Sequence, residues 1–279
     1  MTGDARPHTH SVRDTGVLAV DSVARRINRE TFMLLGGPAA VLMQVAHPLV
    51  AAGVHQHSTF RRSPFRRLVR TADTTLAIVF GERATAERAL KQIDRSHGPV
   101  HGHTADGRAY RARDPRLLLW VQATLVLTSL RWYEDVMGRL SDAERESYWD
   151  EGKFFARELG VPETALPSSL ADLERYETEM LRTEATPDAI ATVVGRDVLR
   201  PYPWLPEIVY WPSDALTAAL VPRSLHAAFG LRYGRPERLF HRGVIVAAGA
   251  LRRFLPRFLT VMPHARRYED AMHNSPTRT

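Results

Sequence analysis

The stretch DPRLLLWVQATLVLTSLRWYEDVMG, residues 114–138, decides the fold class. Asp114 is a side-chain acceptor for the free amides of a helix start, Pro115 suits the first helical position, and Gly138 is a stop just beyond Met137. The apolar run within it, Leu117 to Leu130, is interrupted by Gln122, Thr124, Thr128 and Ser129. That falls short of the roughly 20 apolar residues that span a bilayer, so the segment reads as a helix buried in protein.

Outward from this helix the same punctuation recurs. Ser63-Pro64 opens a helix that Gly81 closes after Phe80. Ser141-Asp142-Ala143-Glu144 is a capping box, in which the serine and the glutamate each satisfy an amide of the other's turn, and its helix runs to about Leu159-Gly160. Thr186-Pro187 starts another, and Pro201, Pro203 and Pro206 break the chain around Trp204. Pro236-Glu237 begins a basic amphipathic helix whose apolar side is expected to include Leu239, Val244, Val246, Ala250 and Leu251. Strand alternation is nearly absent. The pattern predicts an all-α, single multi-helix domain of about nine or ten helices over residues 17–265, between a disordered tail at 1–16 and a flexible one at 266–279.

The segment from Leu34 to Phe60 differs. Gly36-Gly37-Pro38 introduces a short apolar helix, Ala39 to Val54, interrupted by His47-Pro48. Proline lacks an amide and clashes with the preceding turn, so a kink or break is expected at His47. The break leaves buried carbonyls without partners, and the histidine is positioned to satisfy one.

Composition bounds the chemistry. The 279 residues are 44% hydrophobic and 25% charged, the balance of a globular chain with a sizeable core. No cysteine is present, which excludes disulfides, thiolate zinc sites, iron–sulfur clusters and a cysteine nucleophile. The net charge is +7, and the positive charge is almost all arginine, since Lys91 and Lys153 are the only lysines. The arginines lie scattered among acids, a solvated surface rather than a phosphate-tracking stripe, so no nucleic-acid partner is expected. With no leader-like N-terminus and no spanning segment, the chain reads as soluble and cytoplasmic, with at most peripheral membrane contact through the basic helix.

Of the twelve histidines, two groups lie beside apolar helices: His47, His55 and His57, and then His97, His101 and His103. Imidazole is the usual protein ligand to haem iron. The apolar helix with Trp120, Trp132 and Tyr133 can wall a macrocycle, and Arg66, Arg67 and Arg70 can meet its propionates. Each feature also has a plainer reading. A histidine near a helix end often caps or hydrogen-bonds in a core, Arg66 and Arg70 can line a solvated face near Asp73, Gly36-Gly37 can be a turn, and Trp120 and Trp132 can be packing. Ser58 and Ser63 lack a nucleophile-elbow context.

Several blocks taken together carry a resemblance. They are Gly36-Gly37-Pro38 through Gln44-Val45-Ala46-His47-Pro48 to Gly53-Val54, then His57-Ser58 and Phe60-Arg61, Arg67-Leu68-Val69-Arg70-Thr71, and Val79-Phe80-Gly81. His97-Gly98-Pro99-Val100-His101-Gly102, Tyr110, Asp114-Pro115, Leu118-Leu119-Trp120-Val121, Leu140 to Glu146 and Leu159-Gly160-Val161-Pro162 continue it. Over about residues 25 to 235 the chain resembles the oxygenase MpaB and rubber-oxygenase catalytic-domain family, which includes the latex-clearing proteins. The resemblance implies an all-α fold with a globin-like core holding haem b. It implies that His97, the histidine of the His-x-x-Val-x-Gly block, is the proximal iron ligand. His101 is then a distal or outer alternative at a place where relatives often carry arginine, with His47 and Arg70 also near the cofactor. Arg67, Arg70 and Thr71 match the distal Arg-x-x-Lys-Thr element of the latex-clearing branch, with arginine in place of its lysine. Gln122 stands where many relatives carry histidine.

The resemblance thus implies a haem-dependent oxygenase that activates dioxygen or peroxide against a lipophilic, isoprenoid-like small molecule, with Arg67 and Thr71 as catalytic hydrogen-bond donors. The alternatives are a haem-binding protein without turnover and a non-haem metal site built from His47, His97 and His101. The oligomeric state stays open.

Overall fold

In the computed structural model the described residues are 16–57 and 64–273, apart from the side chains of 64–69 and 273. The chain forms α1 (Val23–Asn28), a 3₁₀ turn at Thr31–Gly36, α2 (Gly37–Val45), α3 (Pro48–His57), α4 (Pro64–Phe80) and α5 (Arg83–His97). A small hairpin follows, β1 (His101–His103) and β2 (Ala109–Arg111), and then α6 (Pro115–Met137), α7 (Asp142–Glu158), α8 (Leu170–Thr183) and α9 (Ala189–Leu199). The chain continues through α10 (Trp211–Leu220), α11 (His226–Phe229), α12 (Arg235–Phe254), α13 (Arg257–Thr260) and α14 (Pro263–His273). The all-α expectation holds.

The 114–138 stretch is the axis of the molecule. Asp114 caps α6 by accepting from the Arg116 amide, and Gly138, at φ 87°, ends it. On one side Leu119, Ala123, Val126 and Leu130 pack with α1, α4, α7 and α8. On the other, Trp120, Trp132 and Val136 pack with α2, α9, α10 and α12. A helix lying between two apolar clusters is apolar on opposite faces, which explains why this segment carries so few charges. No single helix among the described residues is long and apolar enough to cross a membrane.

The His47-Pro48 break is present and sharp: the segments Thr31–Val45 and Pro48–His57 meet at 109°. Pro48 offers no amide to the Gln44 carbonyl. The partner for that oxygen is not the His47 ring, as the sequence suggested, but the indole N–H of Trp120 at 3.1 Å, beside the His47 backbone amide at 3.3 Å. His47 instead accepts from the Leu49 amide through Nδ1 at 3.2 Å. The tryptophan reaches the carbonyl because α2 packs along α6.

Other expectations are refined. The capping box at Ser141 and Glu144 forms as read. Asp188 rather than Thr186 caps α9. The β hairpin is an addition to the all-helical expectation, and Asp106-Gly107 at its turn is the sequence signal for it. Residues 1–15 and 274–279 lie outside the described residues. The segment from 266, expected as a tail, is helical as far as His273, and its Tyr268 ring lies 4.0 Å from the buried Arg25 guanidinium.

The apolar side of α12 needs correction. Leu239 and Val246 are 74% and 70% exposed, and Leu251 and Ala250 are exposed as well. The packed stripe is Phe240, Val244, Ile245 and Ala248, with the buried Glu237 and His241 on the same side. Glu237 accepts from Trp211 and the Gly234 amide. His241 Nδ1 lies 3.3 Å from the Tyr233 hydroxyl, while its buried Nε2, 3.5 Å from Asp135, has no hydrogen-bond partner among the described residues.

Candidate functional site

Helices α4 and α5, joined at Gly81-Glu82, pack along each other as a hairpin. The far end of α5, where His97 stands, therefore comes level with the first turns of α4, the helix that carries Arg67, Arg70 and Thr71. The side chain of Arg67 lies outside the described residues.

His97 is the last residue of α5 and is partly buried. Burial pushes its imidazole below the ordinary value of 6.5, Arg113 adds to the effect and Asp94 opposes it. Its ring is therefore held neutral, the form in which imidazole binds metals. Arg113 donates to both the Asp94 carboxylate (2.7 Å) and the Asp94 carbonyl (3.0 Å), tying the last turn of α5 to the β2–α6 junction. Among the described residues the His97 ring has no hydrogen-bond partner.

The rest of the His-x-x-Val-x-Gly block is a packing device. A Cβ on Gly102 would lie 2.8 Å from the Tyr110 hydroxyl and 3.1 Å from Gln56 Oε1, so only glycine admits this approach. Val100 lies against Gly53 of α3, where a Cβ would sit 3.4 Å from it. Tyr110, across the register from Gly102, donates to Gln56 at 2.6 Å, and the His57 ring lies 3.1 Å from the His101 carbonyl and 3.2 Å from the Tyr110 hydroxyl. The block thus clamps the hairpin onto α3 immediately after His97.

The other named residues are placed as follows. His101 is exposed on β1. His47, 3% exposed, lies at the α2–α3 break with Nε2 3.5 Å from Glu184, and burial pushes its pKa down against the pull of that carboxylate. Among the described residues no three His, Asp or Glu side chains gather as a metal-binding group, so His47, His97 and His101 do not form the non-haem cluster. Arg70 lines a groove of about 890 Å³ between α4, α5 and α14, together with Asp73, Arg88, Gln92 and Arg267, and His97 is not among its walls. Thr71 is exposed. Gln122 donates to the Gly152 carbonyl at 3.1 Å, a tie between α6 and α7. Gln56, His57, Tyr110 and Arg113 were missed as supports of the site. The Asp-Gly turn before Tyr110 was the signal that the chain doubles back there.

As a donor set, this is a neutral imidazole at a helix end, with no second or third ligating side chain gathered beside it among the described residues.

Residues 24–252 match the family described as ER-bound oxygenase mpaB/B'/rubber oxygenase, catalytic domain. The chain is 31% identical over 145 residues to the uncharacterized protein Rv2237 of Mycobacterium tuberculosis, a match that covers 50% of this chain and 56% of that protein. The uncharacterized protein Mb2261 of Mycobacterium bovis matches equally, at 31% identity over the same shares. The chain thus spans about half the length of the curated relatives it matches. No solved structure matches it significantly.

Proposed function

Because the chain belongs to the family of the ER-bound oxygenase mpaB/B' and rubber oxygenase catalytic domain, we propose that it is a haem-b-dependent oxygenase of an apolar small molecule, with His97 as the iron's protein ligand. The observation that carries this reading is the state of His97: neutral by burial and without a hydrogen-bond partner among the described residues. By contrast, the rings of His47, His57 and His226 are each engaged by protein groups.

When bound, haem supplies an iron that activates dioxygen or peroxide for oxidation of the substrate. The chain's own contribution is positional. The Arg113–Asp94 tie and the Tyr110–Gln56–His57 clamp fix the backbone on either side of His97 and so limit where its ring can swing. Arg67 and Thr71, on the helix level with His97, are assigned as donors to developing negative charge on oxygen, and Arg70 as a cation for the propionates. An isoprenoid-like substrate and a soluble, intracellular setting belong to the same proposal.

The test is a haem titration of the purified chain. The unaltered protein develops a Soret band, His97→Ala loses most of it with its helical circular dichroism intact, and His47→Ala and His101→Ala keep it. Full haem occupancy with an unshifted Soret band in His97→Ala would remove His97 from the role.

A further inference from the structure

The end of α12 and the whole of α13 are inside-out. Phe254 is 84% exposed and Phe258 60%, with Leu251, Leu255 and Leu259 exposed between and beside them. The 3₁₀ turn against which α13 packs exposes Leu34 and Leu35 as well.

The backbone here is tied inward by its polar groups. Arg252 donates through Nε (2.9 Å) and Nη2 (2.8 Å) to Glu30, which is 1% exposed. The Thr31 hydroxyl donates to the Leu259 carbonyl at 2.7 Å, Glu30 bridges to Val261, and the Met262 amide donates to the Arg29 carbonyl at 2.7 Å. With these groups turned inward, the aromatic and aliphatic side chains face solvent. A concentration of apolar surface of this kind marks an interaction site.

Charge decides the occupant. The sequence has no Asp or Glu from Arg238 to Tyr268. Arg252 is paired with Glu30 and Arg257 with Glu269, so the cations left for a partner are Arg253 at the corner and Arg242 farther back along α12. Arg242 and Arg253 are exposed and have no carboxylate partner among the described residues. A second copy of the chain would bring arginine against arginine. An anionic lipid surface instead meets the cations with phosphates while the phenylalanines and leucines enter the acyl boundary. We infer that the α12–α13 corner is a docking surface for anionic membranes. The inference rests on this surface alone and holds whatever cofactor the chain carries.

Flotation of the full chain with phosphatidylcholine vesicles, with and without phosphatidylglycerol, tests it. The expected result is binding to the anionic vesicles, weakened by salt, and roughly tenfold less to neutral ones. The double variant F254S/F258S, at exposed positions that leave the core intact, lowers anionic binding roughly tenfold or more, and R242E/R253E does so by a similar factor. Thermal melts of both variants confirm that they are folded. Failure of the unaltered chain to float with anionic vesicles would overturn the inference, as would equal flotation of F254S/F258S. So would a dimer in sedimentation that F254S/F258S converts to a monomer, since the patch would then be covered by a second copy.

Discussion

Gly102 and His47 show how much a single side chain decides here. A methyl group on Gly102 would meet the Tyr110 hydroxyl at 2.8 Å, and that hydroxyl is itself held by Gln56. Gly102→Ala should therefore cost about 1–3 kcal/mol as an overpacked contact, and the added change Tyr110→Phe should recover part of it. Urea midpoints of the two single variants and the double variant measure both effects, and an unchanged midpoint for Gly102→Ala would mean that the hairpin is not clamped. At His47 the folded chain holds the imidazole below its ordinary 6.5, chiefly through burial. A depressed folded value means that the unfolded chain takes up the proton first as pH falls. The stabilisation is thus complete above about 6.5 and is lost progressively below it. Melting temperatures of the unaltered protein should fall between pH 7 and pH 5 more steeply than those of His47→Gln, and parallel slopes would assign the pH dependence to other groups.

Among the elements, the α2–α3 break depends on a partner outside both helices. Pro48 removes the amide that the Gln44 carbonyl would have used, and the Trp120 indole replaces it from α6. Trp120 is 0% exposed. Trp120→Phe keeps most of the packing and deletes the donor, leaving a buried carbonyl with only the longer bond from the His47 amide, at 3.3 Å. The expected loss is about 1–3 kcal/mol in denaturant unfolding, and a loss within experimental error would show that the His47 amide suffices. The α4–α5 hairpin is the other element on which the proposed site depends, since its path sets His97 level with the start of the helix bearing Arg67 and Thr71. The short connection at Gly81-Glu82 favours that pairing, and the packing of the two helices along each other secures it.

For the molecule as a whole, one buried charge is prominent among the ties between the C-terminal third and the N-terminal third, beside the apolar packing of α9, α10 and α14 on α2, α3 and α4. Glu30, 1% exposed, receives both donors of Arg252, so α12 is locked across the 3₁₀ turn and the α12–α13 corner is presented outward. Arg252→Ala leaves that buried carboxylate with Arg29, at 3.8 Å, as its remaining cation. The expected cost is about 3 kcal/mol, the low end for breaking a buried pair because Arg252 itself keeps contact with water. The same variant should raise amide exchange in α13 before the core opens, and protection of α13 equal to that in the unaltered chain would show that other ties suffice.

What the sequence by itself determined are the features written within one turn of the chain: the Asp114-Pro115 start and Gly138 stop of α6, the Ser141 capping box and the break at His47-Pro48. The family blocks also single out His97, as the proposed ligand, from the linear sequence. Tertiary structure alone decided the partners. Which residue meets the Gln44 carbonyl, which of two apolar stripes of α12 is buried, that Gln122 ties α6 to α7, and that Tyr110 closes over Gly102 are all choices between groups far apart in the chain. Capping and helix breaking are short-range hydrogen-bond and steric effects, so they survive in a linear reading. The burial of Glu237 and His241 depends on neighbours that only the packed helices bring within reach, so of the residues the apolar pattern of α12 pointed to, Val244 is packed while Leu239, Val246, Ala250 and Leu251 face outward.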